Sequence, residues 1–445
     1  MYIGDNVYKN LKILILGGAK SGLSVAKLVA NDNDVTLTDM NPLKEEDEKY
    51  LKELNVKVII TKDQASLIDS SWDLIIKNPA IMYTSEVYQK CLKLNLKVEN
   101  ELEVGYHFLP ENVFIIGVTG SNGKTTTTTM IYELLKKMGN SVVLAGNIGE
   151  PLCSALDRVK KNDILLLEIS DHQLVDMHKF KTNISVLTNI CPTHLDYHGT
   201  YEHYRDTKKK IFNNHTSKDL AIINYKNSDA LLVSKDILST KIYFNDDKNY
   251  FDENAIYIDN EKIIALDDIS VVGSHNYENI LAALLVIKNF GLDKNIIKEF
   301  LKEFLKEFKG VEHRLEFVTK KDGVKYYNDS KATNPVATIT ALKTFKNPIH
   351  LILGGQERYQ DFNELNDYMG YVKHIYAIGT VTDRLEKYAN DIKKPITKCY
   401  TLKTAMENVK QNVEEGDIVL LSTASASQDQ YKRFEDRGEE FKKLI

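Results

Sequence analysis

An apolar run that opens directly into a glycine-rich loop is the feature that most restricts the fold of this chain. Residues 112–117, NVFIIG, have the length of a buried strand, and GVTGSNGKTTTTT follows over 117–129. A glycine turn between a strand and a helix directs backbone N–H groups and the positive helix end toward an anion. Apolar residues at helical spacing then run from Met130 to Met138. This order predicts a phosphate loop in a parallel, doubly wound α/β domain.

The loop is shorter than the common GxxxxGK[ST] pattern, since Val118 stands where that pattern has its first glycine. Lys124 supplies a mobile positive charge, and the Thr125 hydroxyl can ligate Mg²⁺. Glu168 ends the apolar run DILLLE, where a second oxygen ligand for Mg²⁺ is expected. The pattern therefore predicts ATP binding. The loop residues concerned are Gly120, Ser121, Asn122, Gly123, Lys124, Thr125 and Thr126.

A second α/β unit precedes this loop. Residues 11–18, LKILILGG, read as a strand, 21–31 have helical spacing, and 34–41 form a strand that carries Asp39. Gly17 and Gly22 fit the first and third glycines of a dinucleotide fingerprint, but Ala19 stands at the second. A redox cofactor is therefore disfavoured. Another nucleotide or a purely structural turn remains open.

A third α/β unit lies near the end of the chain, with predicted strands at 350–355, 374–379 and 417–423. A length of 445 residues also favours two or three domains. We predict an α/β protein of three domains. They are a Rossmann-like N-terminal domain (1–104), a central P-loop ATPase-like doubly wound domain (105–309) and a Rossmann-like C-terminal domain (310–445).

Composition narrows the class of protein. A net charge of −5 disfavours nucleic acid as a partner. Four cysteines without CxxC spacing favour a reduced compartment and disfavour a zinc–thiolate site. The N-terminal residues lack the pattern of a signal peptide, and no apolar run approaches the roughly 20 residues needed to cross a membrane. A cytoplasmic protein without a membrane partner is expected.

Residues 189–212 combine three histidines with a run of lysines. The histidine spacing fits no closed zinc site, and one or two of the histidines are expected at the surface. If 201–212 is a helix, Lys208 shares its inner face with Tyr204, whereas Lys210 falls on the solvent side with Asp206 and Thr207. A partly buried lysine beside other cations has a lowered pKa. Its neutral amine can react with CO₂ to form a carbamate, but the residues alone favour an ion-paired lysine.

The chain resembles the Mur ligases of peptidoglycan synthesis, and within them the members that add D-glutamate. The match covers the whole chain, and ordered motifs are more specific than any single motif. These motifs are GVTGSNGKTTT, GNIG (146–149), LEIS..QL (167–174), HLD (194–196), YRDTKKKIF, GSHNYENILAA (273–283), HRLE (313–316), NDSKATNP (328–335), LGGQERYQDF (353–362) and SASQDQYKRFEDRGEEF (425–441).

The resemblance implies a role for each domain. For the UDP part of UDP-N-acetylmuramoyl-L-alanine it implies Lys20, Ser21, Asp39, Asn78, Asn147 and His194. For ATP it adds Asn276, Asn279, Arg314 and Asp329 to the loop residues. For D-glutamate it implies Lys331, Thr333, Arg358, Ser427 and Phe434. It further implies two Mg²⁺ ions held by Thr125, Glu168, His194 and a carbamylated Lys208, with Lys124, His194, Lys208 and Lys331 as the catalytic residues.

Several positions depart from the family pattern. Thr193 stands where many members have Asp, and Asp171 and His172 replace a usual Ser-Phe pair. Arg358 stands where some members have Lys, which keeps the charge but changes its geometry. The segment STASAS lacks the Pro and Cys common in that loop. No departure removes a group that the chemistry requires.

The implied reaction starts with transfer of the ATP γ-phosphoryl group to the L-alanine carboxylate. The amine of D-glutamate then attacks the acyl phosphate, and an amide and phosphate result. A monomer is expected, with a hinge near 305–314. The rivals are Mur-type or folate-type ligases with other acceptors, a nucleotide dehydrogenase and a non-catalytic ATP-binding protein. The alanine-adding members typically have His at Asn122, and the Asp-Asn-Pro-Arg motif of the diamino-acid-adding members is not found.

Overall fold

The computed structural model describes residues 7–269, 273–290, 294–307 and 312–445. The chain divides into two compact units. Unit 1 comprises residues 1–251, 257–261 and 278–294, and unit 2 comprises 252–256, 262–277 and 295–445. The proposed boundaries at 104/105 and 309/310 stay predictions. Residues 308–311, within the proposed hinge, lie outside the described residues.

The first sheet of unit 1 is parallel, with the order β3-β2-β1-β4-β5. Its order reverses between β1 and β4, which creates a crevice at the carboxyl ends of these two strands. A side chain at Gly22 would collide with the carbonyl of Gly17, so glycine allows the first helix to pack closely on the first turn. The strands are Lys12–Leu16 (β1), Asp34–Asp39 (β2), Lys57–Ile60 (β3), Leu74–Lys77 (β4) and Val98–Glu99 (β5). The helices are Lys20–Val29 (α1), Glu45–Glu53 (α2), Glu86–Lys93 (α3) and Glu101–His107 (α4).

The second sheet of unit 1 is also parallel, with the order β11-β10-β9-β6-β8-β7. Its strands are apolar because helices cover both faces of such a sheet. The strands are Phe114–Thr119 (β6), Val142–Gly146 (β7), Ile164–Glu168 (β8), Ile184–Leu187 (β9), Leu220–Asn224 (β10) and Thr240–Phe244 (β11). The helices are Lys124–Lys137 (α5), Leu152–Ala155 (α6), Asp171–Leu174 (α7), Leu195–His198 (α8), Tyr201–Lys209 (α9) and Ser228–Val233 (α10).

Short strands and two longer helices follow these sheets along the chain. The strands are Tyr250–Phe251 (β12), Ala255–Ile258 (β13) and Glu261–Ala265 (β14). The helices are Ser274–Lys288 (α11) and Lys294–Glu307 (α12). The middle of α11 is buried on all sides from Ile280 to Ile287.

The sheet of unit 2 has the order β15-β16-β20-β17-β18-β19 and is parallel except for the edge strand β15. The carboxyl ends of β16, β20 and β17 therefore lie side by side. The strands are Glu316–Lys321 (β15), Val324–Asp329 (β16), Ile349–Gly354 (β17), Val372–Ile378 (β18), Ile396–Tyr400 (β19) and Ile418–Ser422 (β20). The helices are Pro335–Leu342 (α13), Thr382–Asp391 (α14), Leu402–Asn412 (α15) and Phe434–Leu444 (α16).

The three α/β sheets agree with the predicted fold class. Each strand expected from an apolar run is present, and the observed bounds differ from the expected ones by a few residues. Within the described ranges, no helix is both long enough and apolar enough to span a membrane.

Candidate active site

The phosphate loop joins β6 to α5 and depends on two glycines. Gly120 has a φ of +148° and Gly123 a φ of +82°, values that side-chain-bearing residues rarely adopt. A side chain at Gly120 would collide with the Thr188 hydroxyl, and one at Gly123 with the Asn279 amide. Gly123 directly precedes α5, so the first backbone N–H groups of this helix have no acceptor within it. The loop therefore presents the N-terminal end of a helix to an anion.

Residues that follow β9 hold this loop in place. The Ser121 N–H donates to the Asn189 carbonyl (2.9 Å), and the Asn122 N–H donates to the Asn189 side-chain oxygen (3.0 Å). The Thr188 hydroxyl donates to the Asn122 carbonyl (2.5 Å). The Lys124 ammonium folds back and donates to the carbonyls of Gly120 (2.9 Å) and Ser121 (3.0 Å). Its charge thus lies over the loop that would receive phosphate.

Glu168 ends β8, beside the strand that leads into the phosphate loop. Its side chain is buried, and Oε1 accepts a hydrogen bond from the Asn147 amide (2.7 Å). Oε2 has no hydrogen-bond partner among the described residues. A buried carboxylate oxygen without a partner is suited to a cation, because carboxylates are preferred Mg²⁺ ligands. Glu168 therefore fits the role of a magnesium ligand, and the Thr125 hydroxyl stays a predicted one.

Lys208 lies on the inner face of α9 with its side chain 0% exposed, which confirms its expected burial. Its ammonium donates to Asp171 Oδ1 (3.3 Å) and to the Thr119 hydroxyl at the end of β6 (3.3 Å). Burial and the positive charge of Lys124 lower the pKa of Lys208 to about 7, although Asp171 and Glu168 act in the opposite direction. The amine can therefore lose its proton near neutral pH.

Asp171 joins the histidines to Lys208. Its Oδ2 lies 3.0 Å from Nδ1 of His194 and 2.8 Å from Nε2 of His198. Burial acts to raise the pKa of Asp171, but the two histidine hydrogen bonds and the charge of Lys208 outweigh it and hold the pKa well below its usual range. His194 has a φ of 51°, a strained value for a side-chain-bearing residue. Asp171 thus holds His194 through Nδ1, and Nε2 lies on the side of the ring that faces away from Asp171.

A buried ion pair connects this cluster to the first sheet. Lys77, at the end of β4, lies 3.1 Å from Asp176 and donates to the Tyr197 hydroxyl (3.0 Å). Tyr197 stacks on the His172 ring, with centroids 3.8 Å apart. Burial, together with neighbouring cationic groups, lowers the pKa of His172 to about 4 despite the nearby carboxylate of Asp171. His172 is therefore neutral at physiological pH.

The UDP candidates Lys20, Ser21, Asp39 and Asn78 lie at the carboxyl edge of the first sheet. Asp39 accepts a hydrogen bond from the Gly18 N–H (2.7 Å). Asn78 packs against the turn at Gly17, since a Cβ added to Gly17 would lie 3.0 Å from the Asn78 Cβ. Asn147 directly follows β7 and His194 directly precedes α8, so both lie in segments that connect elements of the second sheet's domain. The structure therefore gathers four of the six UDP candidates at one crevice.

The remaining ATP candidates fall on α11 and on unit 2. Asn279, in unit 1, accepts a hydrogen bond from the Thr127 hydroxyl (3.2 Å) on α5. Asn276 is buried one turn earlier on α11. In unit 2, Asp329 accepts hydrogen bonds from the Ser422 hydroxyl (2.7 Å) and the Leu315 N–H (3.0 Å). Burial raises the pKa of Asp329 to about 7, although these bonds and the neighbouring Arg314 act in the opposite direction.

The D-glutamate candidates collect beyond the adjacent carboxyl ends of β16, β20 and β17. The Lys331 ammonium lies 5.8 Å from the centroid of the Phe434 ring. Arg358 donates to the Gln428 side chain (3.3 Å), next to Ser427. Ser427 is buried, and its hydroxyl has no partner among the described residues. Thr333 is exposed at the turn after Lys331.

The prediction that Thr207 and Lys210 lie on the solvent side of α9 was wrong. Thr207 is buried and Lys210 is partly buried, its ammonium donating to the Val175 carbonyl (2.5 Å). The reason is that α9 is packed by α7, α8 and α10 and so has more than one covered face. The prediction that one or two of the three histidines lie at the surface is confirmed by His194, which is exposed. His198 is instead buried against Asp171.

Sequence patterns overlooked the positioning roles of Asn189, Thr188 and His198. Thr188 and Asn189 directly follow β9, and only the strand order shows that β9 borders β6. His198 had no signal beyond its spacing.

Comparison with known proteins assigns the family. Residues 118–287 match the Mur ligase middle domain, and 313–425 match the Mur ligase, glutamate ligase domain. A UDP-N-acetylmuramoylalanine--D-glutamate ligase of Geobacillus kaustophilus is 39% identical, covering 98% of this chain and 97% of the relative. The protein of the same name from Macrococcus caseolyticus is 39% identical, with coverage of 98% and 97%.

Solved structures show the same fold. A UDP-N-acetylmuramate-alanine ligase from Thermotoga maritima has a TM-score of 0.59 at 19% identity, covering 97% of this chain and 98% of that chain. A MurF ligase from Thermotoga maritima in complex with ADP has a TM-score of 0.58 at 18% identity, covering 98% and 96%. The chain has a phosphate loop, matches its relatives along nearly their whole length and shares this fold. It therefore belongs to the Mur ligase family.

Proposed function

We propose that the chain is an ATP-dependent ligase that joins D-glutamate to UDP-N-acetylmuramoyl-L-alanine in the cytoplasmic synthesis of peptidoglycan precursors. The observation that carries this proposal is 39% identity over 98% of the chain to relatives named for that reaction. The phosphate loop and the Lys208–Asp171 cluster lie at the ends of adjacent strands of one sheet, which supports chemistry on a phosphorylated substrate. The proposed partners are the two substrates, and the proposed state is a monomer.

The first step transfers the γ-phosphoryl group of ATP to the L-alanine carboxylate. A free carboxylate is a poor electrophile because its leaving group would be oxide, whereas phosphate leaves readily from an acyl phosphate. Lys124 and the N–H groups that open α5 stabilise charge on the group in transfer. Glu168 and Thr125 would hold Mg²⁺, which neutralises phosphate charge when bound.

The second step is attack of the D-glutamate amine on the acyl phosphate. The amine gives up a proton to solvent as the carbon–nitrogen bond forms, and the tetrahedral intermediate then expels phosphate to leave the amide. His194 is held through Nδ1 by Asp171, so its Nε2 can face the reacting groups. In unit 2, Lys331 and Arg358 are the proposed cations for the two carboxylates of D-glutamate.

We further propose two Mg²⁺ ions and a carbamate on Lys208. Complete burial and a pKa lowered to about 7 favour the neutral amine that reacts with CO₂. The ion pair with Asp171 opposes this reaction, because an ammonium does not attack CO₂. Nuclear magnetic resonance with ¹³C-bicarbonate tests it: a carbamate signal that is present in the wild type and lost in Lys208→Ala supports the proposal. Absence of the signal from the wild type refutes it.

Phosphate release tests the reaction itself. The purified chain is incubated with ATP, Mg²⁺ and UDP-N-acetylmuramoyl-L-alanine, and D-glutamate, L-alanine, L-lysine and meso-diaminopimelate are compared as acceptors. Release with D-glutamate at least about tenfold above the others is expected. Preference for another acceptor would refute the proposed substrate and leave the family assignment intact.

A further inference from the structure

We propose that Arg437 positions the acceptor subsite by tying together the three loops that carry Lys331, Ser427 and Arg358. This inference rests on the proposed function, because those residues are candidates for binding D-glutamate. Arg437 lies on α16, has a side chain among the most deeply buried of unit 2 and is 1% exposed. It was not among the residues that the sequence singled out.

The guanidinium binds two loops at once. Its Nε donates to the Ser330 hydroxyl (2.9 Å) and its Nη2 to the Ser330 carbonyl (2.8 Å). Nη1 and Nη2 both donate to the Ser425 carbonyl, each at 3.3 Å. Ser330 follows β16 and Ser425 follows β20, so Arg437 joins the loops beyond two neighbouring strands. All of these acceptors are neutral oxygens.

The Ser330 side of this arrangement reaches two candidate residues. Ser330 directly precedes Lys331, and its hydroxyl donates to the Phe434 carbonyl (2.8 Å). The same hydroxyl therefore accepts from Arg437 and donates to Phe434. The Lys331 ammonium lies 5.8 Å from the Phe434 ring. Displacement of Ser330 would shift both candidates.

The Ser425 side reaches Ser427 and Arg358. Ala424, just before Ser425, has a φ of 49°, a conformation that persists only when neighbouring contacts hold it. In the loop after β17, a Cβ built at Gly355 would lie 3.1 Å from Nη1 of Arg437. The next residue in this loop, Gln356, donates its backbone N–H to the Ala426 carbonyl (2.8 Å). The third loop is therefore packed against the same guanidinium.

Arginine is suited to this position for a geometric reason. Its planar guanidinium offers donors in a fixed fork, so one side chain can bind two loops, whereas the lysine ammonium is a point donor. Its hydrogen-bond acceptors among the described residues are oxygens of Ser330 and Ser425, and none of them is a carboxylate. Burial lowers the pKa of Arg437 to about 10, and Asp429 and Asp329 limit the shift. The group therefore stays charged at neutral pH and adds positive potential beneath a site for a dicarboxylate.

The test compares Arg437→Lys and Arg437→Met with Arg433→Lys, a matched control just before the same helix whose side chain is 69% exposed. Phosphate release gives KM for each of the three substrates, and thermal unfolding checks the fold. Arg437→Lys is expected to raise KM for D-glutamate roughly 10- to 100-fold. KM for ATP and for UDP-N-acetylmuramoyl-L-alanine should stay within about twofold, and Arg433→Lys should resemble the wild type.

An unchanged KM for D-glutamate in Arg437→Lys, or an equal rise in KM for all three substrates, overturns the inference. If Arg437→Met does not fold, the lysine variant decides alone, because it keeps the charge and most of the volume. A wild-type protein that releases no phosphate with D-glutamate overturns the proposed function and this inference with it. Normal wild-type turnover with an unchanged KM in the variant overturns the inference alone.

Discussion

Replacing Asp171 by asparagine tests how the candidate active site is held together. The carboxylate faces Lys208 at 3.3 Å, and the two side chains are 2% and 0% exposed. At pH 6 and in buffer free of CO₂, Lys208 is a protonated ammonium without a carbamate. Under these conditions, loss of one member of the buried ion pair leaves the other charge uncompensated, which costs about 3–5 kcal/mol. Lys208→Met should cost a similar amount, because it leaves the Asp171 carboxylate with only its histidine contacts. The double variant should be destabilised by at least about 2 kcal/mol less than the sum of the single variants.

Urea unfolding of the wild type, the two single variants and the double variant gives this coupling energy. The exposed pair Lys27–Asp157, at 3.2 Å with side chains 55% and 80% exposed, is the matched control. Its coupling should stay below about 1 kcal/mol. The reasoning would be refuted if the destabilisation of the double variant equalled the sum of the Asp171 and Lys208 single-variant destabilisations to within about 0.5 kcal/mol. Such additivity is the behaviour of sites that do not interact.

Three further variants test the phosphate and nucleotide sites. Lys124→Ala should lower turnover by roughly 10²–10³, the loss of one preorganised stabilising group, and wild-type turnover would remove the ATP assignment. Glu168→Gln should raise the Mg²⁺ concentration for half-maximal turnover by roughly tenfold or more, and an unchanged Mg²⁺ titration would contradict the ligand role. Because burial raises the pKa of Asp329 to about 7 from 3.8, its protonation stabilises the fold by an amount on the order of 4 kcal/mol. That contribution is full below about pH 4 and lost as pH rises through about 7, so Asp329→Asn should flatten the pH dependence of the unfolding free energy over this range. If the unfolding free energies of the wild type and of Asp329→Asn changed with pH in the same way, this prediction would be contradicted.

The predicted strands and the phosphate loop agree with the structure because their signals are local. An apolar run followed by GSNGKTT places a loop between a buried strand and a helix whatever the rest of the chain does. The burial of Lys208 also followed from spacing along one helix, since Tyr204 and Lys208 lie one turn apart. The burial of Thr207 and the partial burial of Lys210 could not be predicted in this way. Helical spacing identifies one covered face, whereas α9 is packed by three neighbouring helices.

Asp171 shows a different limit. The resemblance marked it as a departure from the family pattern, but its contacts with His194, His198 and Lys208 depend on how α7, α8 and α9 pack. These residues are up to 37 positions apart in the chain. Spacing in a sequence carries no information about such distances unless the residues share one element.

The sequence by itself determined the order of strands and helices, the phosphate loop and the family, because these depend on short-range periodicity and on motifs that can be read in order. Only the tertiary structure decided which strand ends are neighbours, and therefore which side chains share a site. Asn189 at the phosphate loop, Asp171 against Lys208 and Arg437 beneath the acceptor subsite all come from distant segments. Their roles depend on the three-dimensional packing of sheets and helices. A buried charged group is stable only when it is paired or hydrogen-bonded, and the packing decides which groups lie close enough to be its partners.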